Sequence, residues 1–424
     1  MKNFFNKIFS SSKNLYSFKN NIKKLSITTP VKKIFEAINS HTSESEIRYV
    51  GGCLRKILNN EKVDDIDLAT NLNPIEVSEI LKKNKINFYE SGIEHGTITA
   101  ILDDHKFEIT SLREDIFTDG RHAKVKFSKD WKKDAARRDF TINSIYADLD
   151  GNIFDPHNGK KDIEMGQVNF IGNPEKRIKE DYLRILRYLR FFLNYSKQPH
   201  KEEIIKTIKI NISGISIISK ERLLDELKKL LKSNHLEKLS KDKFSIELIL
   251  LIFPELKNIK SVVNSIKVKK EFFVDLDFIF ILFLMIIDGT DNLEYFLYKY
   301  NISKKDQKRA YAISNFYNEK EGIKTLNEAN LNKVLYYDGK QAVLDILNFK
   351  IIKSKKLDKK MLSLLELYKN KITPSLPIGA DLLMTRYNIP EGKQLGSMLK
   401  SIEEEWVRNN FEISEKQIDS IVKG

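Results

Sequence analysis

Two aspartates one residue apart, in the run Asp65-Ile66-Asp67-Leu68-Ala69-Thr70, carry the clearest chemistry in this chain. In an extended strand alternate side chains share a face, so Asp65 and Asp67 point one way while Ile66 and Leu68 point to a core. Strand rise sets the two carboxylates about 7 Å apart, a spacing suited to holding Mg²⁺ through hard oxygen ligands. Upstream stands the pair Gly51-Gly52, with 12 residues between it and Asp65. The pair ends an apolar strand, Ile47 to Val50, and lets backbone N–H groups approach a phosphate without a Cβ in the way. A short helical run, Leu54 to Leu58, carries Arg55 between the two features. An isolated Asp-x-Asp also fits a solvated strand end. The glycines and Arg55 at this spacing favour phosphate and metal.

The neighbouring elements must position that stretch. Val31 to Asn39 has helical spacing and leads into the first strand. Asn73-Pro74 starts a further helix, with proline in the first turn. Thr97 to Leu102 and Lys106 to Thr110, joined by Asp103-Asp104, read as a hairpin with Phe107 and Ile109 on one face and Glu108 on the other. Glu108 is either a solvated strand residue or a third carboxylate beside Asp65 and Asp67. Arg113 to Lys126, centred on Asp119-Gly120-Arg121-His122, reads as a mobile loop. His95 and His122 have no Cys or second His at ligand spacing, which favours hydrogen-bonding roles.

Lys132 to Tyr146 is expected to be helical and contains Arg137-Arg138-Asp139-Phe140-Thr141-Ile142-Asn143. Phe140, Ile142 and Ile145 would pack while the arginines face outward. Two arginines beside an aspartate and an asparagine offer phosphate clamps and groups that can bond a ribose hydroxyl; a surface ion-pair cluster is the competing account. Asp155 to Asp162 is a turn-rich link. From Pro174 onward the pattern is helical. In Glu180 to Phe191 the stripe Tyr182, Ile185, Leu186, Leu189 and Leu193 faces a core. Asp181, Arg184 and Tyr188 share another face. A carboxylate beside a guanidinium there either forms a surface ion pair or meets the Watson–Crick edges of C and A. Ser219 caps a further helix running through Leu227.

Gly-Gly-x-x-Arg followed by Asp-Ile-Asp-x-Ala-Thr resembles the signature of class II tRNA nucleotidyltransferases (CCA-adding enzymes) and bacterial poly(A) polymerases, within the DNA polymerase β superfamily. Arg137 to Asn143 is similar to that family's second motif and Asp155 to Asp162 to its third. Glu180-Asp181-x-x-Arg184 is similar to the fourth, and Ser219 to Leu227 to the fifth, which braces the fourth. The resemblance runs motif by motif over Ile47 to Leu227 and only in character beyond. In the family the residue after the motif arginine is commonly aspartate; here it is Lys56. The resemblance implies attack of a tRNA 3′-hydroxyl on the α-phosphate of CTP or ATP, with Asp65 and Asp67 binding two Mg²⁺ and Glu108 as a third acid. It implies Gly51, Gly52 and Arg55 on the triphosphate, and Arg137, Arg138, Asp139 and Asn143 on sugar and phosphates. Asp181 and Arg184 would read the base, with Arg187 and Arg190 reaching phosphates.

Composition bounds the rest. Lys+Arg 73 against Asp+Glu 59 gives a formal charge of +14, which suits a polyanionic partner such as RNA; lysine enrichment from an A/T-rich genome gives the same count. The single cysteine, Cys53, cannot form an internal disulfide, so nothing argues for secretion. The longest apolar run, Phe278 to Ile287, is too short to span a bilayer. A cytoplasmic enzyme is expected. All seven histidines lie at or before His235 and no His-Asp pair occurs, excluding an appended HD-type phosphohydrolase. The architecture expected is an α/β nucleotidyltransferase head followed by an all-α neck, body and tail. Its parts are a disordered basic tail over 1–30, the head over 31–168, the neck over 169–235, an RNA-binding body over 236–371 and a helical tail over 372–424. Rival functions are a poly(A) polymerase, an enzyme adding only CC or only A, and a catalytically silent RNA-binding protein. The first carries Gly-Arg-Arg-Phe where this chain reads Glu90 to Thr97, CC-adding enzymes lack the flexible loop, and intact Asp65 and Asp67 oppose the last.

Overall fold

Alternation of apolar and polar residues along the second and fifth strands gives one sheet face to a core and leaves the other to carboxylates. The computed structural model describes residues 17–118, 123–233, 235–273, 276–318, 326–354 and 358–423. The chain falls into two units, Met1–His235 and Leu236–Gly424.

In the first unit, helix α1 (17–28) and α2 (Val31–Asn39) precede β1 (Ile47–Val50), α3 (Gly52–Leu58) and β2 (Ile66–Thr70). Next come α4 (Pro74–Lys83), β3 (Asn87–Gly92), β4 (Thr97–Leu102) and β5 (His105–Ser111). A hairpin of β6 (Arg113–Thr118) and β7 (Ala123–Phe127) leads to α5 (Trp131–Arg137), and β8 (Tyr146–Ala147) and β9 (Ile153–Phe154) complete the strands. The seven-stranded sheet has the order β3-β4-β5-β2-β1-β8-β9. Its β2–β5 pair is parallel, and the pairs flanking it, β4–β5 and β1–β2, are antiparallel. Ile66, Leu68, Phe107 and Ile109 are buried, with Ile66 opposite Phe107 and Leu68 opposite Ile109. On that face Tyr49, opposite Leu68, meets Phe35 of α2 at 4.8 Å between ring centroids. The other face holds Val50, Ala69, Ala135 and Tyr146 in a second cluster. Helix α4 starts as its sequence demands: Asn73 accepts from the Ile75 and Glu76 N–H groups, and Glu76 accepts from the Asn73 N–H.

After α6 (Gly159–Met165) this unit is helical: α7 (Pro174–Glu180), α8 (Arg184–Tyr195), α9 (Glu202–Asn211) and α10 (Lys220–Leu231). Ser219 caps α10 by accepting from the Arg222 N–H. In the second unit, among described residues, there is no strand. Phe278–Ile286 is a helix buried on nearly every side, the expected fate of the longest apolar run. The final helices share their own cluster of Ile378, Leu383, Ile389, Leu395, Ile402 and Ile418. No described helix is long and apolar enough to cross a membrane.

Four local expectations are corrected. Residues 17–28 are helical rather than part of a disordered tail, and they bury Phe18 and Ile22. Arg113 to Lys126 is not a loop throughout: its two limbs pair as β6 and β7, while Asp119, Gly120, Arg121 and His122 lie outside the described residues. The helix expected over Lys132 to Tyr146 stops at Arg137. Arg138 is extended, Thr141–Asn143 is a single 3₁₀ turn, and Tyr146 enters β8. The helix expected from Glu180 to Phe191 breaks at Asp181, which has an extended backbone (φ −156°, ψ 105°). Ile185, Leu186, Leu189 and Leu193 do form the buried stripe, but Tyr188 is buried too, stacked on Phe170 at 5.8 Å. Tyr182 instead lies against Gly214, where a Cβ would fall 2.0 Å from its ring.

Candidate active site

Gly51 ends β1 in a backbone conformation, φ +66°, that L side chains rarely adopt. A Cβ on Gly52 would meet Asp67 Oδ2 at 3.4 Å, so the glycine turn lies directly beside the carboxylate. Asp67 stands opposite Glu108 in the parallel β2–β5 register, with both side chains on the face away from the Leu68–Ile109 core. Asp65, exposed, immediately precedes β2. Asp67 therefore has Glu108 across the register and Asp65 two residues before it in the chain. Burial, and then the charges of Glu108 and Asp65, push the Asp67 carboxyl above its ordinary range, against the pull of Arg138 and Arg55. That is the signature of an anionic site short of positive charge.

The donor set tests what cation would fit. It is made only of carboxylate oxygens, the ligand type of Mg²⁺. Among described residues no group of three or more His, Cys, Asp or Glu side chains is placed to hold a metal ion by itself. An open set of this kind suits an ion that keeps waters and shares substrate phosphates.

The arginines separate into two kinds. Arg138 and Arg55 face the carboxylates: Arg138 Nη1 would lie 3.6 Å from a Cβ on Gly51, and Arg55 Nη2 4.0 Å from one on Gly52. Arg55 is buried, donates to Asn143 Oδ1, and stacks over Phe191 and Tyr195 of α8 at 4.8 and 5.0 Å. Arg138 does not face outward as expected. It donates to Asp134 Oδ2 at 3.1–3.2 Å and to the Tyr146 hydroxyl at 3.0 Å, while Arg137 donates to Asp134 Oδ1 at 2.8 Å. Arg187 and Arg190 are held by protein carboxylates. Arg187 binds Asp139 at 2.6–2.8 Å, and Arg190 binds Glu226.

Asp139 and Asn143 form one internal network. Asp139 accepts from Asn143 Nδ2, from the Phe140 N–H and from Arg187, each within 2.8 Å. Burial alone would raise this carboxyl; Arg187, Asn143 and the Phe140 N–H overcome it and hold Asp139 below the usual carboxylate range. Through Arg55 and Arg187 the second motif thus joins α3 and α8.

The expected Asp181–Arg184 pair is a further correction. Asp181 sits in the break between α7 and α8, where its Oδ1 accepts from the Leu183 N–H and its Oδ2 from Arg222 of α10 at 2.8 Å. Arg184 bonds Glu180 Oε2 at 2.6 Å and the Arg177 carbonyl at 2.7 Å. The helix break takes the two residues off a common face. Asp134, Tyr146 and Arg177 hold candidate residues in place and were not singled out from the sequence, whereas Glu180 stands in the run that resembles the fourth motif and Arg222 and Glu226 in the run that resembles the fifth. Asp134 to Arg137 and Arg138, and Glu180 to Arg177 and Arg184, are spacings of three and four that a helix makes neighbours. The bond from Arg222 to Asp181, 41 residues apart, has no local spacing to announce it and joins the runs that resemble the fifth and fourth motifs.

A model described as "Poly A polymerase head domain" matches residues 47–169, and one described as "Probable RNA and SrmB- binding site of polymerase A" matches 201–260. A CCA-adding enzyme of Streptococcus uberis is 30% identical over 370 residues, covering 84% of this chain and 87% of the relative. This chain belongs to the CCA-adding enzyme family. Human mitochondrial CCA tRNA nucleotidyltransferase 1 is 47% identical over 197 residues, a match of 46% of this chain and 45% of the human protein. The match to the human relative and others like it thus spans about half of their length. Among solved structures, the Bacillus stearothermophilus CCA-adding enzyme in complex with CTP superposes with a TM-score of 0.70 at 20% identity, covering 93% of this chain and 97% of that one. The Thermotoga maritima CCA-adding enzyme complexed with tRNA_CCA gives 0.56 at 19% identity, over 92% and 94%. At those identities the likeness speaks for the fold, an α/β head with a mostly helical remainder.

Proposed function

We propose that this chain adds CMP and AMP to the 3′ end of tRNA from CTP and ATP, releasing pyrophosphate. The observation that carries the reading is the register of Asp67 with Glu108 beside Asp65, next to a glycine turn whose Gly51 takes a backbone conformation that side chains rarely adopt. The oxygen of the RNA 3′-hydroxyl forms a bond to the α-phosphorus, and the bond from that phosphorus to the pyrophosphate oxygen breaks. Two Mg²⁺ held by Asp65 and Asp67 would supply activation of the hydroxyl and stabilise the charge developing at phosphorus. Gly51 and Gly52 admit the triphosphate; Arg138 and Arg55 add positive charge on the same side. Glu108 sets a second carboxylate beside Asp67, and a cation bound there would relieve the repulsion between them. Asp181 and Arg184 read the base from the α7–α8 break, while Arg187, Arg190, Asp139 and Asn143 hold the floor beneath it.

The names of the relatives and the +14 net charge support tRNA as the polyanionic partner. The compartment proposed is the cytoplasm, although the human relative's name places that protein in mitochondria. The test is incubation of purified protein with tRNA lacking its 3′ end and with CTP, ATP, UTP and GTP, singly and together, in the presence and absence of Mg²⁺. Ordered addition of two CMP and one AMP is expected. Unlimited AMP addition would mean poly(A) synthesis instead, and no incorporation with any triphosphate would refute an enzymatic role.

A further inference from the structure

Arg177 occupies a position that the motif pattern does not explain. Its Nη2 donates to the backbone carbonyls of Arg137 and Arg138, at the end of α5 in the head. Its Nη1 donates to Glu180 Oε2 at 2.5 Å, and that same oxygen accepts from Arg184 Nη1 at 2.6 Å. The Arg177 carbonyl also accepts from Arg184 Nη1, at 2.7 Å. Both arginine side chains are only 11% exposed, against 36% for Glu180. Burial and the neighbouring charge of Arg184 both push the Arg177 pKa down, as expected of two cations crowded on one carboxylate.

We propose that Arg177 is a positioning residue that ties the head's arginine pair to Arg184, so that the base-reading guanidinium is set relative to the catalytic carboxylates. The inference rests on the function proposed above. The contacts run without a gap: carbonyls of Arg137 and Arg138, guanidinium of Arg177, carboxylate of Glu180, guanidinium of Arg184. Arg138 in turn faces Gly51 and Asp67. A guanidinium is a planar fork of fixed donors, and only such a fork reaches two carbonyls on one side and a carboxylate on the other. Lysine keeps the charge but directs its donors from a single nitrogen, so it cannot span both. Arg184 touches no head residue through these bonds; its placement against the head passes through Arg177 and Glu180.

The test uses the full chain with tRNA lacking its 3′ end, measuring kcat and KM for each of the four triphosphates in wild type, Arg177→Lys, Arg184→Ala and the double variant. Thermal unfolding is recorded for each. For Arg177→Lys, KM for CTP and ATP should rise, and discrimination against UTP and GTP should fall, each by about tenfold, the scale of one charge-assisted hydrogen bond. The thermal midpoint should stay close to wild type. In the Arg184→Ala background Arg177→Lys should change discrimination no further, because the two residues act as one unit. A selective wild type with an equally selective, folded Arg177→Lys overturns the coupling alone, as does an additive double variant. A wild type that adds UMP or GMP as readily as CMP overturns the underlying reading and the coupling with it. Should Arg177→Lys unfold, Glu180→Ala, which removes the acceptor at the other end of the same link, carries the identical expectation and the identical refutation.

Discussion

Two acidic sites in the first unit are built from the same residue type and treated in opposite ways. Asp134 and Asp139 are buried and saturated: Asp134 by Arg137, Arg138 and Tyr146, Asp139 by Arg187, Asn143 and a backbone N–H. Despite burial, both carboxyls are held below the usual range. Asp67 is also largely withdrawn from water, yet its neighbours are two further carboxylates and its carboxyl is pushed up. Fully answered charge is scaffold. Charge left in deficit marks the place where a ligand must bring the counterion.

The largest effect should come from the deficit site. Asp67→Asn should lower incorporation of both nucleotides by at least about 10³-fold, since a bound metal supplies several kcal/mol of transition-state stabilisation. Single-turnover extension of trimmed tRNA measures it. A rate near wild type would put the metal elsewhere and erase the contrast.

The saturated site should fail in the other direction. Asp134→Asn breaks a buried network and leaves Arg138 underpaired, a loss of about 3–5 kcal/mol of stability, read from denaturant midpoints. The pH dependence carries the same sign. Carboxyls held below their unfolded values give stability that is present above about pH 4 and is lost as pH falls through the lowered folded values. Asp134→Asn should remove part of that acid-side loss. A variant as stable as wild type would mean that the network is ornamental.

Of intermediate size is the charge exchange Asp181→Arg with Arg184→Asp. On a common helix face it would be a clean swap. In this structure it sets a cation at position 181 against Arg222 and an anion at position 184 against Glu180. The pairs are partly exposed, so the cost expected is about 1–2 kcal/mol, seen as a lower melting temperature alongside any shift toward UTP and GTP. Unchanged stability would restore the uninterrupted helix.

The difference between those outcomes shows what was legible in the sequence. The glycine pair, the two aspartates and the hairpin carrying Glu108 follow from periods of two and from turn chemistry, all local signals. The registry of Asp67 with Glu108 needs a parallel pairing across 41 positions, which periodicity does not reveal. In the two arginine motifs, local spacing misled. Asp139 and Asp181 each lie outside the helix expected of them, Asp139 in a bend bonded to Arg187 and Asp181 in extended backbone bonded to Arg222. Tertiary pairing overrode helix propensity there.

A smaller effect again sharpens the contrast at Asp67 itself. Its folded carboxyl lies above the unfolded value, so the stability it contributes is fully present below about pH 4 and is lost as pH rises through the raised folded value. Asp67→Asn should therefore melt higher than wild type at neutral pH, and the gap should close as the pH is lowered toward 4. A variant that melts lower at pH 7 would mean that Arg138 and Arg55 already answer the charge.

The smallest effect belongs to an exposed pair next to the same site. Lys56, where the family commonly has aspartate, bonds Asp64 at 3.0 Å, and Lys56 lowers the Asp64 carboxyl pKa by that bond and by its charge. Asp64 is well exposed, at 61% of its side chain, so water and salt screen the attraction. Lys56→Ala should cost under about 1 kcal/mol and less still in high salt, measured by thermal unfolding at two ionic strengths. Catalysis should stay within a few-fold, because the charges that shift Asp67 are those of Glu108, Arg138, Asp65 and Arg55. A loss approaching that of Asp134→Asn would mean that Lys56 takes part in setting the loop before β2. The line between answered and unanswered charge would then run through this loop rather than along the strand.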